Sequence, residues 1–468
     1  MVGKFSKYLK SKKKIIYKLI DVLQEKYDYV SVLGTDVSGV NISVDNRSTF
    51  VGPSSITECG FVIKVYHENI YSEYSINDIL EKDISQIVAD IAKLTSQKFS
   101  SDNIKVPLLA EEELVKTFRR KPKGKSYTTE EIISILKAYV SEAMSDIQYV
   151  VNVRTAIENV EISKMFISPH KDLEQYYTWS NSRAFVLVRR EGNTKYAYDG
   201  FGSNNMHQDL LNLYKVITEA GKLAVELLDS TLPVPGIYDI ITDPSISGLI
   251  AHEAFGHGVE MDMFVKDRAL AKEYMDKQVA SPLVNMHDGA DATFSVASYF
   301  FDDDGVLGQD TQIIENGILK RGISDALSAL ELNTKPTGNG RRESYKRKTY
   351  TRMTNTFFES GEAKLKDMIK SIKYGYYIST TNNGMEDPKN WGIQCTAHYG
   401  REIVAGKFSG KIISPVVMTG YVVDLLNSIT AVSKDFKVIG SGSCGKGHKE
   451  WVRVSDGGPY LKARVKIG

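Results

Sequence analysis

Residues 246–262 read ISGLIAHEAFGHGVEMD, and no other part of the chain constrains the fold as tightly. An apolar run leads straight into His252 and Glu253. His257 stands five positions after the first histidine, with Glu260 and Asp262 close behind. Two imidazoles flanking a carboxylate on a buried segment are the makings of a hydrolytic zinc site. Neutral imidazoles hold the ion, and the glutamate takes a proton from the attacking water. In the common H-E-x-x-H helix the histidines stand at i and i+4 and share a face. At i and i+5 they lie about 140° apart on a regular helix. One ion reaches both only if the helix takes a π-type turn or ends between them. Gly256, directly before His257, is where such a break costs least, because glycine accepts backbone angles that other residues avoid. The spacing therefore predicts a distorted or terminated helix here. Two ordinary core histidines remain the alternative, since the pattern is short.

Composition narrows the rest. At 468 residues the chain is long enough for more than one domain, each with its own core. A net charge of +1 makes no electrostatic case for nucleic acid or an acidic membrane surface. There is no run of the roughly 20 apolar residues that a membrane span needs. The lysine-rich N-terminus leads into IIYKLIDVLQEK, whose charges rule out the apolar core of a secretion signal. Cys59, Cys395 and Cys444 are too few and too scattered for a disulfide framework, and an odd count fits a reducing cytoplasm. A cytoplasmic protein is expected.

The first half alternates helices with extended segments. Ile15, Ile16, Leu19, Ile20, Val22 and Leu23 make one side of an amphipathic first helix, with the surrounding lysines solvated. YVSVLG, GVNISVDN and FVIKVYHENIYSEY read as strands, and residues 75–97 as a helix with an apolar stripe. Residues 118–127, FRRKPKGKSY, read as a solvated loop. Thr128 and Glu131 form a capping box for a helix to about Met144. Two strand segments follow, with a hairpin turn at Gly192-Asn193, and then a helix over 208–228. TLPVPG at 231–236 marks the boundary between a domain over 1–232 and another over 233–468. His67, His170 and His207 are isolated, so the first domain is read as scaffold and substrate enclosure. In the second, FSVASYFF, TQIIE and ILKRGI read as strands, with Asn316-Gly317 as a hairpin turn. DDDG at 302–305 reads as a turn and residues 420–432 as a helix.

A catalytic zinc takes a third protein ligand. Cys444, His448, Cys395, His398, His287 and Glu260 are all candidates, and sequence separation does not choose among them. Local chemistry favours Cys444, in the glycine-rich GSGSCGKGH with Lys446 two residues on to lower the thiol pKa.

Four stretches then carry a resemblance: HEAFGHGVEMD at 252–262, PTGNGRRESY at 336–345, RMTNTF at 352–357 and GSCGK at 442–446. In that order they resemble the TldD/PmbA family of zinc metallopeptidases, in its metal-bearing TldD branch. The resemblance implies that His252, His257 and Cys444 take the zinc-ligand positions and Glu253 that of the catalytic glutamate. It implies an α+β fold, with a mixed α/β N-terminal domain and a strand-rich, barrel-like C-terminal domain. It further implies a homodimer, or a heterodimer with a PmbA-like (TldE) metal-less relative, enclosing a cavity in which unfolded or small peptides are cut. The segment after HEAFGH and the tail after Cys444 diverge from the family's pattern, so substrate specificity is not carried over.

Arg341 and Arg342 are candidates for gripping a substrate carboxylate or for bonding across an interface. Asn339 and Asn355 are open between substrate binding and loop bonding. Tyr345 and His448 are further candidates at the substrate. The other class of function for such a chain is a non-catalytic peptide-binding or regulatory subunit with a structural zinc; Glu253 argues against it, because a structural site needs no acid beside its first ligand.

Overall fold

The computed structural model describes residues 3–96, 106–448 and 450–468. The fold is α+β, built on two large sheets. The first has eight strands, its path running Ile70–Ile76, Glu58–His67, Tyr29–Asp45, Val150–Ile167, Lys171–Arg190 and Leu114–Arg119. Thr49–Pro53 and Asn193–Ser203 pair off that path.

Period-two alternation decides which way each residue of this sheet faces. In the strand Tyr29–Asp45, the even positions Val30, Val32, Ile42 and Val44 pack under four helices. Lys7–Gln24 and Ile84–Thr95 cover one end of that face, and Thr129–Asp146 and Met206–Leu227 the other. The odd positions Leu33 and Val37 turn to the opposite face, where Ala290, Val296, Tyr299 and Phe301 of the second half pack. Burying a side chain such as Phe301 contributes about 1.5–3 kcal/mol. Buried ion pairs accompany this packing: Lys64 Nζ meets Asp304 Oδ1 at 2.5 Å, and Lys164 bonds Asp303. The DDDG segment is thus a turn, with Gly305 at φ +70°, and it carries acids that join the two sheets.

The second sheet has eleven strands, and part of its path closes on itself. Gly236–Thr242 pairs with Tyr374–Asp387 on one side and with Glu450–Ile467 on the other. Gly392–Val404 and Val416–Tyr421 complete the ring, which is the barrel-like part of the fold. Among the described residues no helix is long and apolar enough to cross a membrane.

Local expectations fared unevenly. Thr128 and Glu131 make the capping box, opening the helix Thr129–Asp146. Both hairpins form, each on two residues of positive φ: Asn316 and Gly317 in one, Glu191 and Gly192 in the other, one residue earlier than expected. The first helix is amphipathic, but Val22 is exposed and Lys12 is buried, its ammonium on the Ile79 carbonyl. The helix expected from residue 75 begins at Ile84, because residues to Ile76 extend a strand paired with Glu58–His67; Gln97, its expected end, lies outside the described residues. Phe118 and Arg119 end a strand rather than begin a loop. FSVASYFF forms no strand: Tyr299, Phe300 and Phe301 lie against the first sheet instead of joining a ladder. The helix expected over 420–432 shrinks to Val422–Asn427 between two strands.

Candidate metal centre

The histidine segment starts at a well-made helix end. Asp243 accepts the Ile246 amide at 2.9 Å, and Pro244 occupies the first turn. Six residues of α-helix, Pro244–Leu249, then give way to a π-helical stretch, Ile250–Gly256, and a 3₁₀ turn, His257–Val259. The His257 amide donates to the His252 carbonyl, the i to i+5 bond of a π turn. The distortion required by the spacing is present. Its consequence is that both rings meet, with centroids 5.1 Å apart.

Gly256 serves a different purpose from the one expected. Its backbone is ordinary helix, at φ −60° and ψ −48°. What it supplies is space, since a Cβ there would lie 2.2 Å from Met353 Sδ. Gly256→Ala is therefore expected to destabilise the fold by about 1–3 kcal/mol through overpacking, read as a lower midpoint in chemical denaturation. In a Met353→Ala background the same change is expected to cost markedly less, because the clashing sulfur is gone.

Cys444 arrives from the far end of the chain on the strand Ala431–Lys446. Its Sγ lies 3.6 Å from His257 Nε2, and the ligand atoms of His252, His257 and Cys444 all fall within 4.8 Å of one another. Zinc–sulfur and zinc–nitrogen bonds of tetrahedral sites imply a sulfur–nitrogen edge of roughly 3.5 Å, so the spacing suits that ion. The donor set also fits in charge. Burial would raise the Cys444 thiol, but the His257 and His252 rings overcome it and hold it well below the usual thiol range. Burial likewise opposes protonation of both histidines, and the Cys444 charge reverses this, most strongly at His257, which also faces Glu260. A thiolate balanced by ring protons is a site where a dication can replace those protons. The largest charges acting on the thiol are those of the two imidazoles.

Lys446 closes an outer network. Its ammonium meets Glu260 Oε2 at 2.8 Å, Asp262 Oδ1 at 2.7 Å and the Thr351 carbonyl at 3.1 Å. Glu260 in turn stands 3.3 Å from His257 Nδ1, the pairing that fixes a ligand imidazole's orientation. Burial raises Glu260, yet Lys446 and His257 outweigh it and keep the carboxylate ionised. Arg352, fully buried, donates to the Cys444 carbonyl at 2.5 Å and the Glu450 carbonyl at 3.0 Å, pinning the strand that carries the sulfur. Glu386, half-buried beside this turn, accepts the Gly258 amide at 3.1 Å. No sequence signal marked Arg352 or Glu386 for these tasks, although Arg352 opens one of the four motif stretches.

Glu253 stands between the rings. Its carboxylate oxygens lie 4.0 Å from His252 Nε2 and 3.9 Å from His257 Nε2. A cleft of about 690 Å³ opens against His252 and Glu253, walled by Tyr198 and Lys222 of the first half and by Thr381, Lys437 and Asp456 of the second.

The remaining candidates lie elsewhere. Cys395 is in the core, its thiol pushed up by burial and by Glu253. His398 bonds the Tyr196 carbonyl at 2.8 Å, and His287 bonds Asp310 at 2.7 Å. Arg342 is buried on Glu73 at 3.0 Å and on the Arg347 carbonyl. Arg341 is spent on the Met353 and Arg453 carbonyls at 2.7 and 2.6 Å. Of the two readings left open for this pair, bonding between chain segments is the one these contacts fit. Asn339, fully buried, holds Asp288 and the Arg352 carbonyl, and Asn355 holds the Gly289 and Thr293 carbonyls. Tyr345 stacks over Gly60 of the first half, where a Cβ would meet its ring at 2.5 Å. His448 is exposed in the turn after the Cys444 strand.

Comparisons with known proteins find metalloprotease relatives. Residues 235–467 match the profile described as "PmbA/TldA metallopeptidase C-terminal domain". The chain is 27% identical over 414 residues to the metalloprotease MJ0996 of Methanocaldococcus jannaschii, an alignment covering 87% of this chain and 90% of that one. It is 30% identical over 293 residues to a zinc metalloprotease TldD homolog of Saccharolobus solfataricus, covering 62% of this chain and 65% of that one. TldE from Thermococcus kodakarensis shares the fold, with a TM-score of 0.77 at 18% identity over 97% of this chain and 99% of that one.

Proposed function

The chain belongs to the TldD/PmbA family, and from that premise we propose that it is a zinc-dependent peptidase cutting unfolded or small peptides inside a cavity enclosed by a dimer. The observation that carries this reading is the convergence of His252, His257 and Cys444, with Glu253 between the rings at the edge of an open cleft. In it, His252, His257 and Cys444 hold the metal. Zinc there would lower the pKa of a bound water and polarise the scissile carbonyl. Glu253 takes the proton of the attacking water on a carboxylate oxygen and passes it to the leaving amine. Glu260 and Lys446 keep the His257 ring oriented, and Arg352 keeps the sulfur in place.

A thiolate ligand leaves the metal less electrophilic than nitrogen and carboxylate ligands would. Turnover then depends on enclosure to position the substrate. We assign that enclosure to residues 1–232 and to a partner chain, either a second copy or a TldE-like relative; residues 233–468 supply the chemistry. Three free thiols suit a reducing cytoplasm.

Removing the metal is the direct test. Dialysis against a chelator is expected to abolish cleavage of an unfolded peptide library, and added zinc to restore it, with native mass measurement identifying the partner. Zinc retained without cleavage, alone and with a TldE-like partner, would favour a peptide-binding subunit instead.

A further inference from the structure

The cleft beside the metal centre is walled partly by the carboxylate of Asp456, which pairs with no lysine or arginine among the described residues. Asp456 lies in the strand Glu450–Ile467, in register with Thr356 on one side and Ile439 on the other. The helix Pro244–Leu249 crosses this strand closely. A Cβ on Gly248 would lie 2.4 Å from Gly457 N and 2.8 Å from the Asp456 carbonyl carbon. That approach brings His252 and Glu253, just beyond the helix, to the same cleft as Asp456. Gly442 stands over the carboxylate. A Cβ there would be 3.9 Å from Asp456 Oδ1, so the missing side chain leaves the approach open.

Among the described residues no lysine or arginine pairs with Asp456; the charges acting on it are those of His252 and Glu253. Of the lysines and arginines sharing the cleft, Arg401 is bound to Glu226 at 2.5 Å, and neither Lys222 nor Lys437 forms an ion pair with Asp456. A carboxylate drawn out of water without a partner is costly, and a charge-assisted bond from an incoming cation offsets that cost.

We propose that Asp456 receives a cationic group of the substrate, an ammonium, beside the scissile bond. The inference rests on the peptidase reading of this cleft. The ammonium has two sources in a peptide, its free N-terminus and a lysine side chain.

The test is peptide binding to the zinc-loaded full chain carrying Glu253→Gln, read by fluorescence anisotropy so that turnover is not needed. One labelled lysine-containing peptide is compared with its N-acetylated form, with its lysine-to-norleucine form, and with the doubly neutral form. Neutralising the recognised ammonium is expected to raise Kd about tenfold or more, and which single change does so identifies the source. Asp456→Asn in the same background is expected to erase that discrimination while leaving zinc content and the affinity of the doubly neutral peptide unchanged. Equal binding of all four peptides, discrimination surviving in Asp456→Asn, or zinc loss from that variant would each overturn the proposal. Tight, discriminating binding with no cleavage by the wild-type chain would instead count against the peptidase reading alone.

Discussion

Glu253→Gln is expected to lower kcat for peptide cleavage by about 10²–10⁴-fold, the usual contribution of a positioned general base, while zinc content stays at the wild-type level. The substitution is nearly isosteric. It keeps the side-chain stem where the fold needs it, against Gly384, where a Cβ would come within 2.5 Å of Glu253 Cγ. It removes only the ability to accept a proton. Since Glu253 stands 3.9–4.0 Å from both imidazoles, beyond hydrogen-bond reach, neither ring depends on it for orientation. Metal content by mass spectrometry and single-turnover cleavage separate the two effects. Loss of zinc in step with loss of activity would make Glu253 a structural support rather than the base.

Cys444→Ser is the second large expectation. The thiolate is one of the three proposed ligands and the counter-charge of both imidazoles. A serine hydroxyl at that position stays neutral and cannot replace it. Zinc affinity is expected to fall by more than the roughly 10–100-fold that loss of an outer-shell partner costs, and cleavage to fall with it. The fold is expected to persist, because Arg352 holds the strand through the backbone carbonyls of Cys444 and Glu450, which the substitution leaves untouched. Competition with a chromogenic chelator measures the affinity, and circular dichroism the fold. Wild-type zinc affinity in Cys444→Ser would exclude the sulfur as a ligand.

Much of this site was legible in residues 246–262. The i to i+5 spacing conflicts with a regular helix, and a π turn is the relief the chain adopts. Cys444 is another matter. It lies 187 residues beyond His257, and local chemistry favoured it among six candidates without deciding; the four motif stretches supplied the choice. Gly256 was noticed for a reason the fold does not use, and the ion pairs of Lys446 were not foreseen. The glycine makes room for Met353, and the lysine bridges Glu260 and Asp262. For the arginines at 341 and 342 the sequence left substrate grip and interface bonding open, because only distant partners, the Met353 and Arg453 carbonyls and Glu73, distinguish the two. In the fold, short-range signals such as the Thr128 cap and the Asn316-Gly317 turn read true because their bonds are local. FSVASYFF misled because its β-rich composition serves packing between two sheets, a partnership set by distant residues.

X-ray absorption at the zinc edge tests the account most directly. One sulfur is expected at about 2.3 Å and nitrogen ligands at about 2.0–2.1 Å, with the sulfur shell absent from Cys444→Ser. A first shell of nitrogen and oxygen alone in the wild-type protein would contradict it.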